Sequence, residues 1–153
     1  ADLGAIPIQP PAFETVPLFT DELVAILLSN VRPVQKKVTP AFLSRCPLIL
    51  GNENSALRRA VTDWLEPAGP PPKPVMEFDN VEAIKSLVAV GLGVSIVPSL
   101  SLGAGHVPAT NMIVASLSPR ASRQVGLVKL RGKRSTDGMK LVSAAMLTLR
   151  GRG

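Results

Sequence analysis

EFDNVEAIKSLVAVGLGVSIVP, residues 77–98, reads as strand, capped helix, glycine stop, strand and proline stop. Asp79 or Asn80 can cap the helix, because a short polar side chain there accepts from the free N–H groups of the first turn. Glu82 stands three residues after Asp79, where the reciprocal partner of a capping box belongs. Val81, Ile84, Leu87, Val88 and Gly91 recur at helical spacing, which prepares one face for burial. Gly91 and Gly93 end the helix and allow a tight turn into the largely β-branched residues 94–97. Pro98 lacks an N–H and ends the pairing. A unit of this kind belongs to a parallel sheet with helices packed on it, whose ligands bind beyond the strand ends.

Upstream, residues 47–50 form a short apolar strand with the polar exit loop Gly51, Asn52, Glu53, Asn54. Residues 55–65 are the clearest amphipathic helix: Leu57, Ala60, Val61, Trp64 and Leu65 share one stripe, and Arg58, Arg59 and Asp63 fall off it. The proline-rich residues 67–74 cannot continue that helix. Residues 1–8 read as the end of a buried strand, and residues 15–29 as a long strand crossing between lobes. A polar surface loop is expected over 30–39 and one helical turn over 40–43. Downstream, a small-residue loop over 99–110 leads to one strand at 112–117 and another at 124–130. A turn over 132–136 then opens a final helix over 137–149, with Met139, Val142, Met146 and Leu149 on one side.

The bulk numbers fit a globular chain. Its 153 residues suffice for one domain or two small lobes, and 46% hydrophobic against 18% charged residues argues against disorder. No apolar run reaches the length of a membrane span, so no membrane partner is expected. Residues 1–9 have neither the basic start nor the apolar core of a secretory signal. Cys46 is the only cysteine, which rules out an intramolecular disulfide and fits a cytoplasmic setting. His106 is the only histidine, with no thiol or carboxylate cluster beside it in sequence, so neither a transition metal nor another cofactor is expected. The net charge of +6 is uneven. Up to Pro119 there are 8 basic and 10 acidic residues, a balance of −2, and from Arg120 onward 9 basic residues face only Asp137, a balance of +8. That basic quarter lacks aromatics for stacking on bases and any groove-reading motif, so a solvated face is its simplest reading.

The loop at residues 51–55 is the best ligand candidate by chemistry. It lies between a strand end and a helix start, where free N–H groups and the helix dipole favour an anion or a polar oxygen. Asn52, Asn54 and Ser55 add donors and acceptors, and Arg58 lies one turn along. The same residues also suit a plainly solvated helix cap. Gly91-x-Gly93 follows a helix and precedes a strand, the reverse of a dinucleotide fingerprint. Ser86, Ser95 and Ser99 have no arranged His or Asp, and Asp79 and Glu82 serve better as helix-start residues, so no catalytic residue and no enzyme activity is expected.

Taken in order, ADLGAI, VPLFTDELVAIL, PLIL, SALRRAVTDWL, FDNVEAIKSLVAVGLGVSIVP and RQVGLVKLRGK resemble the effector-binding domain of LysR-type transcriptional regulators. The D-x-x-x-x-I-K-x-x-V-x-x-G-x-G-x-x-x-x-P arrangement from Asp79 to Pro98 is the most specific piece, and the resemblance covers essentially the whole chain. It implies an α/β fold of the periplasmic-binding-protein type II kind. One Rossmann-like lobe is complete over residues 14–118, and residues 1–13 with 119–153 supply the closing part of another. The family's winged helix-turn-helix and the opening of the first lobe are expected to lie outside this chain, which therefore reads as a fragment.

The resemblance implies that a small-molecule effector sits in the cleft between lobes, facing Asn52, Glu53, Asn54 and Ser55. Pro7, Ile8 and Gln9 would face the same cleft from the first-lobe strand, and Asn80 and Val81 from the next helix start. Residues 13–18 and 98–100 would be crossover or hinge segments. Helix 55–65 resembles the one that packs antiparallel on a partner subunit in family dimers, with Arg58, Arg59, Thr62 and Glu66 near that interface, so a homodimer or tetramer is expected. DNA would be reached only through the missing helix-turn-helix. The leading function is thus a ligand sensor of a bacterial regulator. The alternatives are a solute-binding protein of a transport system, marked by an export signal, and an enzyme on the same fold, marked by a catalytic constellation.

Overall fold

The computed structural model describes residues 13–31, 36–103, 111–132 and 136–148. The chain divides into two compact units, Ala1–Asp21 with Arg123–Gly153 and Glu22–Ser122. The division falls inside two long strands, β1 (Phe13–Leu28) and β6 (Met112–Leu130). Between them come β2 (Lys37–Val38), α1 (Pro40–Leu43), β3 (Ile49–Gly51), α2 (Ala56–Leu65), β4 (Met76–Phe78), α3 (Val81–Ala89) and β5 (Ser95–Pro98). The helix α4 (Asp137–Leu147) follows β6.

In the larger unit the strands run β2-β6-β1-β5, and the parallel bridge Leu48↔Val94 joins this sheet to the parallel pair β3-β4. Every residue of β1 from Leu23 to Leu28 is buried, because both faces of the sheet are covered and nothing on the strand can alternate into solvent. On one face Leu23, Ala25 and Leu27 meet Leu50, Val94 and Ile96, together with Val61, Trp64 and Leu65 of α2. On the other, Val24 and Ile26 meet Ile49 and Val97, together with Ile84 and Val88 of α3. The period of two along each strand thus sends successive apolar side chains to two different helices. Each of the fully buried leucines and isoleucines removed from water contributes about 1.5–3 kcal/mol.

The stretch at residues 77–98 folds largely as its pattern dictates. Asn80 is the N-cap of α3, its side chain accepting from the Glu82 N–H at 2.7 Å. At the other end Gly91 takes φ +85° and donates to the Val88 carbonyl at 3.0 Å, while Leu92 donates to Leu87 at 3.1 Å. This pair of bonds is the Schellman closure, which needs a left-handed residue at that position. Gly93 has a different reason to be glycine: a Cβ there would lie 2.5 Å from the Pro47 carbonyl oxygen.

Several expectations are corrected. No capping box forms at α3, because Asn80 rather than Asp79 is the N-cap, which leaves Glu82 at the second helical position, where its carboxylate pairs with Lys85 Nζ at 2.7 Å. The sheet is mixed rather than parallel: β3 and β4 are parallel, but β5 pairs antiparallel with β1, Leu23↔Pro98 through Ile26↔Ser95. The strands expected at 112–117 and 124–130 are one, β6. Pro119 lies inside it, beyond Ser116 and Leu117, the residues that pair with β2, so its missing N–H takes no bond from that ladder. Lys37 and Val38 of the expected loop at 30–39 pair in parallel with β6. The final helix forms over Asp137–Leu147 as expected and buries none of its residues: Met139, Val142 and Met146 are exposed, and Leu149 lies outside the described residues.

Candidate functional site

Parallel pairing decides where the polar loops meet. The register Ile49↔Met76, Leu50↔Glu77, Gly51↔Phe78 ends β3 and β4 at the same edge of the sheet. Both strands then turn directly into helices, so the N-termini of α2 and α3 lie at that edge. Asn52, Glu53, Asn54 and Ser55 form the first turn, and Asn80 and Val81 the second. The structure therefore brings these six sequence-predicted residues to one edge of one unit. Pro7, Ile8 and Gln9 lie outside the described residues.

The first loop is held from within. Asn52 Oδ1 accepts from the Asn54 N–H at 3.1 Å, and the Asn52 carbonyl accepts from the Ser55 N–H at 2.9 Å. Ser55 caps α2 by accepting from the Arg58 N–H at 3.0 Å. A Cβ at position 51 would press on Ser55 Oγ at 3.1 Å, so the capping hydroxyl sits close over the glycine. The Arg58 guanidinium reaches back under the loop, donating through Nη1 to the Gly51 carbonyl at 2.9 Å and to Glu77 Oε1 at 2.9 Å. These bonds fix the loop on the strand pair. They also consume the side-chain oxygens of Asn52, Ser55 and Asn80 as caps, leaving the Nδ2 groups of the two asparagines as spare donors.

The second turn is anchored at a distance. Lys85 is buried on α3, its ammonium paired with Glu82 and donating to the Ser101 carbonyl at 2.6 Å in the 3₁₀ turn Ser99–Leu102. Burying an ammonium costs heavily unless its donors are used, and here two are. Sequence reasoning placed Ile84 and Val88 on the buried face and overlooked Lys85 between them. It also overlooked Phe78, 37% exposed at the end of β4 and in register with Gly51. The signal for Phe78 was available, since parallel strands that start together also end together.

Chemically, this edge offers hydrogen-bond donors, two exposed carboxylates, Glu53 and Asp79, and one half-exposed aromatic ring. Groups of these kinds can hold a polar small molecule through hydrogen bonds and charge. Among the described residues no three His, Cys, Asp or Glu side chains gather around a common point, and no helix is long and apolar enough to cross a membrane.

Known proteins share this framework. The effector-binding domain of QuiR, solved in complex with shikimate, superposes with a TM-score of 0.82 at 22% identity over 97% of this chain and 70% of that one. The OxyR C206 mutant of Corynebacterium glutamicum gives 0.76 at 18% identity, covering 95% of this chain and 46% of that one. At such identities the likeness shows the fold, that of LysR effector-binding domains. In sequence, the HTH-type transcriptional regulator CzcR of Bacillus cereus is 26% identical over 136 residues, 88% of this chain and 44% of the relative. The transcriptional dual regulator GltC of Bacillus subtilis (strain 168) is 30% identical over 117 residues, 76% of this chain and 39% of the relative. The chain thus spans less than half the length of these curated relatives. The family model described as the LysR substrate binding domain matches residues 2–149, and the chain belongs to that family.

Proposed function

We propose that the chain is the ligand-sensing part of a LysR-type transcriptional regulator, and that the edge formed by Asn52, Glu53, Asn54, Ser55, Asn80 and Val81 contacts a small-molecule effector. The observation that carries this reading is the parallel register Gly51↔Phe78, which gathers two strand ends and two helix starts where α/β folds bind ligands. Pro7, Ile8 and Gln9 complete the effector contacts in this reading, and the two compact units correspond to the two lobes. The effector acts by unequal affinity for two arrangements of the regulator, the only way a ligand can shift such an equilibrium. DNA is contacted through a helix-turn-helix elsewhere in the regulator, and the protein works as a cytoplasmic homodimer or tetramer rather than as an enzyme.

The outer flank of α2 supports the oligomeric part. Its buried face is Val61, Trp64 and Leu65, while Arg59 and Glu66 stay exposed and Thr62 half-buried, available to a partner subunit.

A thermal-shift screen of small metabolic acids, amino acids and sugar acids against a chain carrying both lobes in full tests the site. A positive shift that is lost on Asn52→Ala or Ser55→Ala supports it. If both variants respond like the parent, the effector does not use this loop.

A further inference from the structure

We propose that Lys85 is a positioning residue of the effector edge: it ties a third turn, Ser99–Leu102, to the start of α3, so that a change at one is felt at the other. The link to an effector rests on the function proposed above, whereas the tie between the two turns stands without it.

Three strand ends, not two, share this edge. The parallel bridge Leu48↔Val94 sets β5 level with β3: Gly51 comes three residues after Leu48, and Pro98 four after Val94. One residue of strand is about 3.3 Å, so Pro98 leaves the sheet at the same edge as Gly51 and Phe78. The 3₁₀ turn Ser99–Leu102 follows at once. Within it, Ser101 Oγ donates to the Pro98 carbonyl at 2.6 Å. Gly103 closes it at φ +71°, donating to the Leu100 carbonyl at 3.2 Å. These bonds shape the turn from within. Lys85 fixes it against α3, because its Nζ donates to the Ser101 carbonyl at 2.6 Å and meets Glu82 Oε1 at 2.7 Å.

Stability alone does not call for a lysine there. Its side chain is only 11% exposed, on the face that also buries Ile84 and Val88. Replacing a buried ion pair by apolar side chains of similar size is often neutral or stabilising, so a methionine would serve that packing. What the ammonium adds is direction, since it must reach two oxygens on two different elements. One of them is open to competition: Glu82 stands two residues beyond the capping Asn80, and its side chain is 68% exposed. A ligand that brings an ammonium or another N–H donor to the Asn80–Val81 turn competes for that carboxylate. Lys85 then loses its counter-charge in a buried place, and its hold on Ser101 weakens.

The test needs no ligand and uses the 153-residue chain. Glu82→Gln stands in for a carboxylate drawn away. It is expected to shift the backbone amide resonances of Ser101, Leu102 and Gly103. Hydrogen exchange of the Gly103 amide should quicken about threefold or more, while the Ile49 amide, bonded to Val94, keeps its rate. Lys85→Met should quicken Gly103 about tenfold or more with the urea midpoint close to that of the parent. Adding Glu82→Gln to Lys85→Met should change nothing further at Ser101–Gly103, because the path between the two turns is gone. A lysine that merely stabilises would instead lower the midpoint and quicken Gly103 and Ile49 together, and that pattern overturns the proposal. So does a response to Glu82→Gln at Ser101–Gly103 that survives Lys85→Met, or no response at all. If Lys85→Met does not fold, the presence or absence of the Glu82→Gln response decides alone. Thermal shifts of Asn52→Ala and Ser55→Ala bear on the effector reading only, and its failure would leave these results standing.

Discussion

Asp21 and Arg123 form an ion pair across the two long strands: the Arg123 Nη2 and Nε groups approach the same Oδ2 at 3.1 and 3.3 Å. The Asp21 side chain has no exposed surface, whereas Arg123 keeps 28% of its own. Gln124 and Thr20 bond beside them at 2.7 Å, and Lys129 meets Glu14 further along, the pattern of antiparallel neighbours. Removing one partner of a buried pair leaves the other charge poorly compensated, which costs about 3–5 kcal/mol when both are enclosed. Because Arg123 is partly solvated, Arg123→Met is expected to cost about 2–3 kcal/mol. Arg123→Lys should recover only part, since a lysine cannot offer two N–H groups to one oxygen in that fork. Urea midpoints of the three proteins check this; a variant within about 0.5 kcal/mol of the parent would contradict it.

The two glycines that close α3 should respond differently to a methyl group. At Gly91 the penalty is conformational, a φ of +85° with a Cβ only 3.0 Å from Leu28 Cδ1, a side-chain tip that can turn away. Gly91→Ala is therefore expected to cost about 1–2 kcal/mol. At Gly93 the obstacle is the Pro47 carbonyl at 2.5 Å and Ile49 Cγ1 at 2.9 Å. Backbone cannot give way without parting Leu48 from Val94, so Gly93→Ala should cost about 3 kcal/mol or more. Equal losses, measured by thermal or urea unfolding, would refute the distinction.

That contrast marks what a sequence shows and what it hides. Residues 77–98 announce their helix, its glycine end and the strand after it, because caps and periodicity are local. The capping residue Ser55, the α2 stripe through Val61, Trp64 and Leu65, and the one-turn helix at Pro40–Leu43 were equally legible. The antiparallel pairing of β5 with β1 was not, because no local signal says which distant strand a β-branched run will join. Glu82 misled for a different reason: its spacing from Asp79 suits a capping box, but Asn80 takes the cap one residue later and the carboxylate pairs with Lys85 instead. For the site, the polar residues could be read, and their gathering at one edge could not, since it follows from the parallel β3–β4 register.

Ser95 offers a test of an unmet hydrogen bond. It is fully buried on β5 opposite Ile26, and its hydroxyl has no partner among the described residues. Its cross-strand partner Ile26 and Val97, two residues along β5 on the same face, are core residues, so the hydroxyl has exchanged water for apolar surroundings. A buried polar group left unsatisfied costs about 1–3 kcal/mol, and Ser95→Ala removes it with the loss of one small contact. The variant should be as stable as the parent or up to about 1 kcal/mol more so, as read from the unfolding midpoint. A clear fall in that midpoint would mean the hydroxyl is stabilising where it stands.

Cys46 is expected to be a sluggish thiol. Burial pushes its pKa up, because the charged thiolate loses solvation that the neutral thiol needs less. The Sγ also donates to the Phe42 carbonyl at 3.5 Å, a bond only the protonated form can make. Since the thiolate is the nucleophile, iodoacetamide at about pH 8 should alkylate folded Cys46 about tenfold or more slowly than glutathione. In urea above the unfolding midpoint the two rates should converge. The same shift carries a sign for stability. The folded thiol titrates above the unfolded one, so its contribution is complete below the ordinary thiol range and is lost as pH rises through the folded value. The stability this thiol contributes should therefore be the same at about pH 6 and about pH 7, and should decline only in the alkaline range. Comparing the parent with Cys46→Ala by urea unfolding across that range isolates the effect. Alkylation of the folded protein as fast as glutathione would place the sulfur in solvent and overturn both expectations.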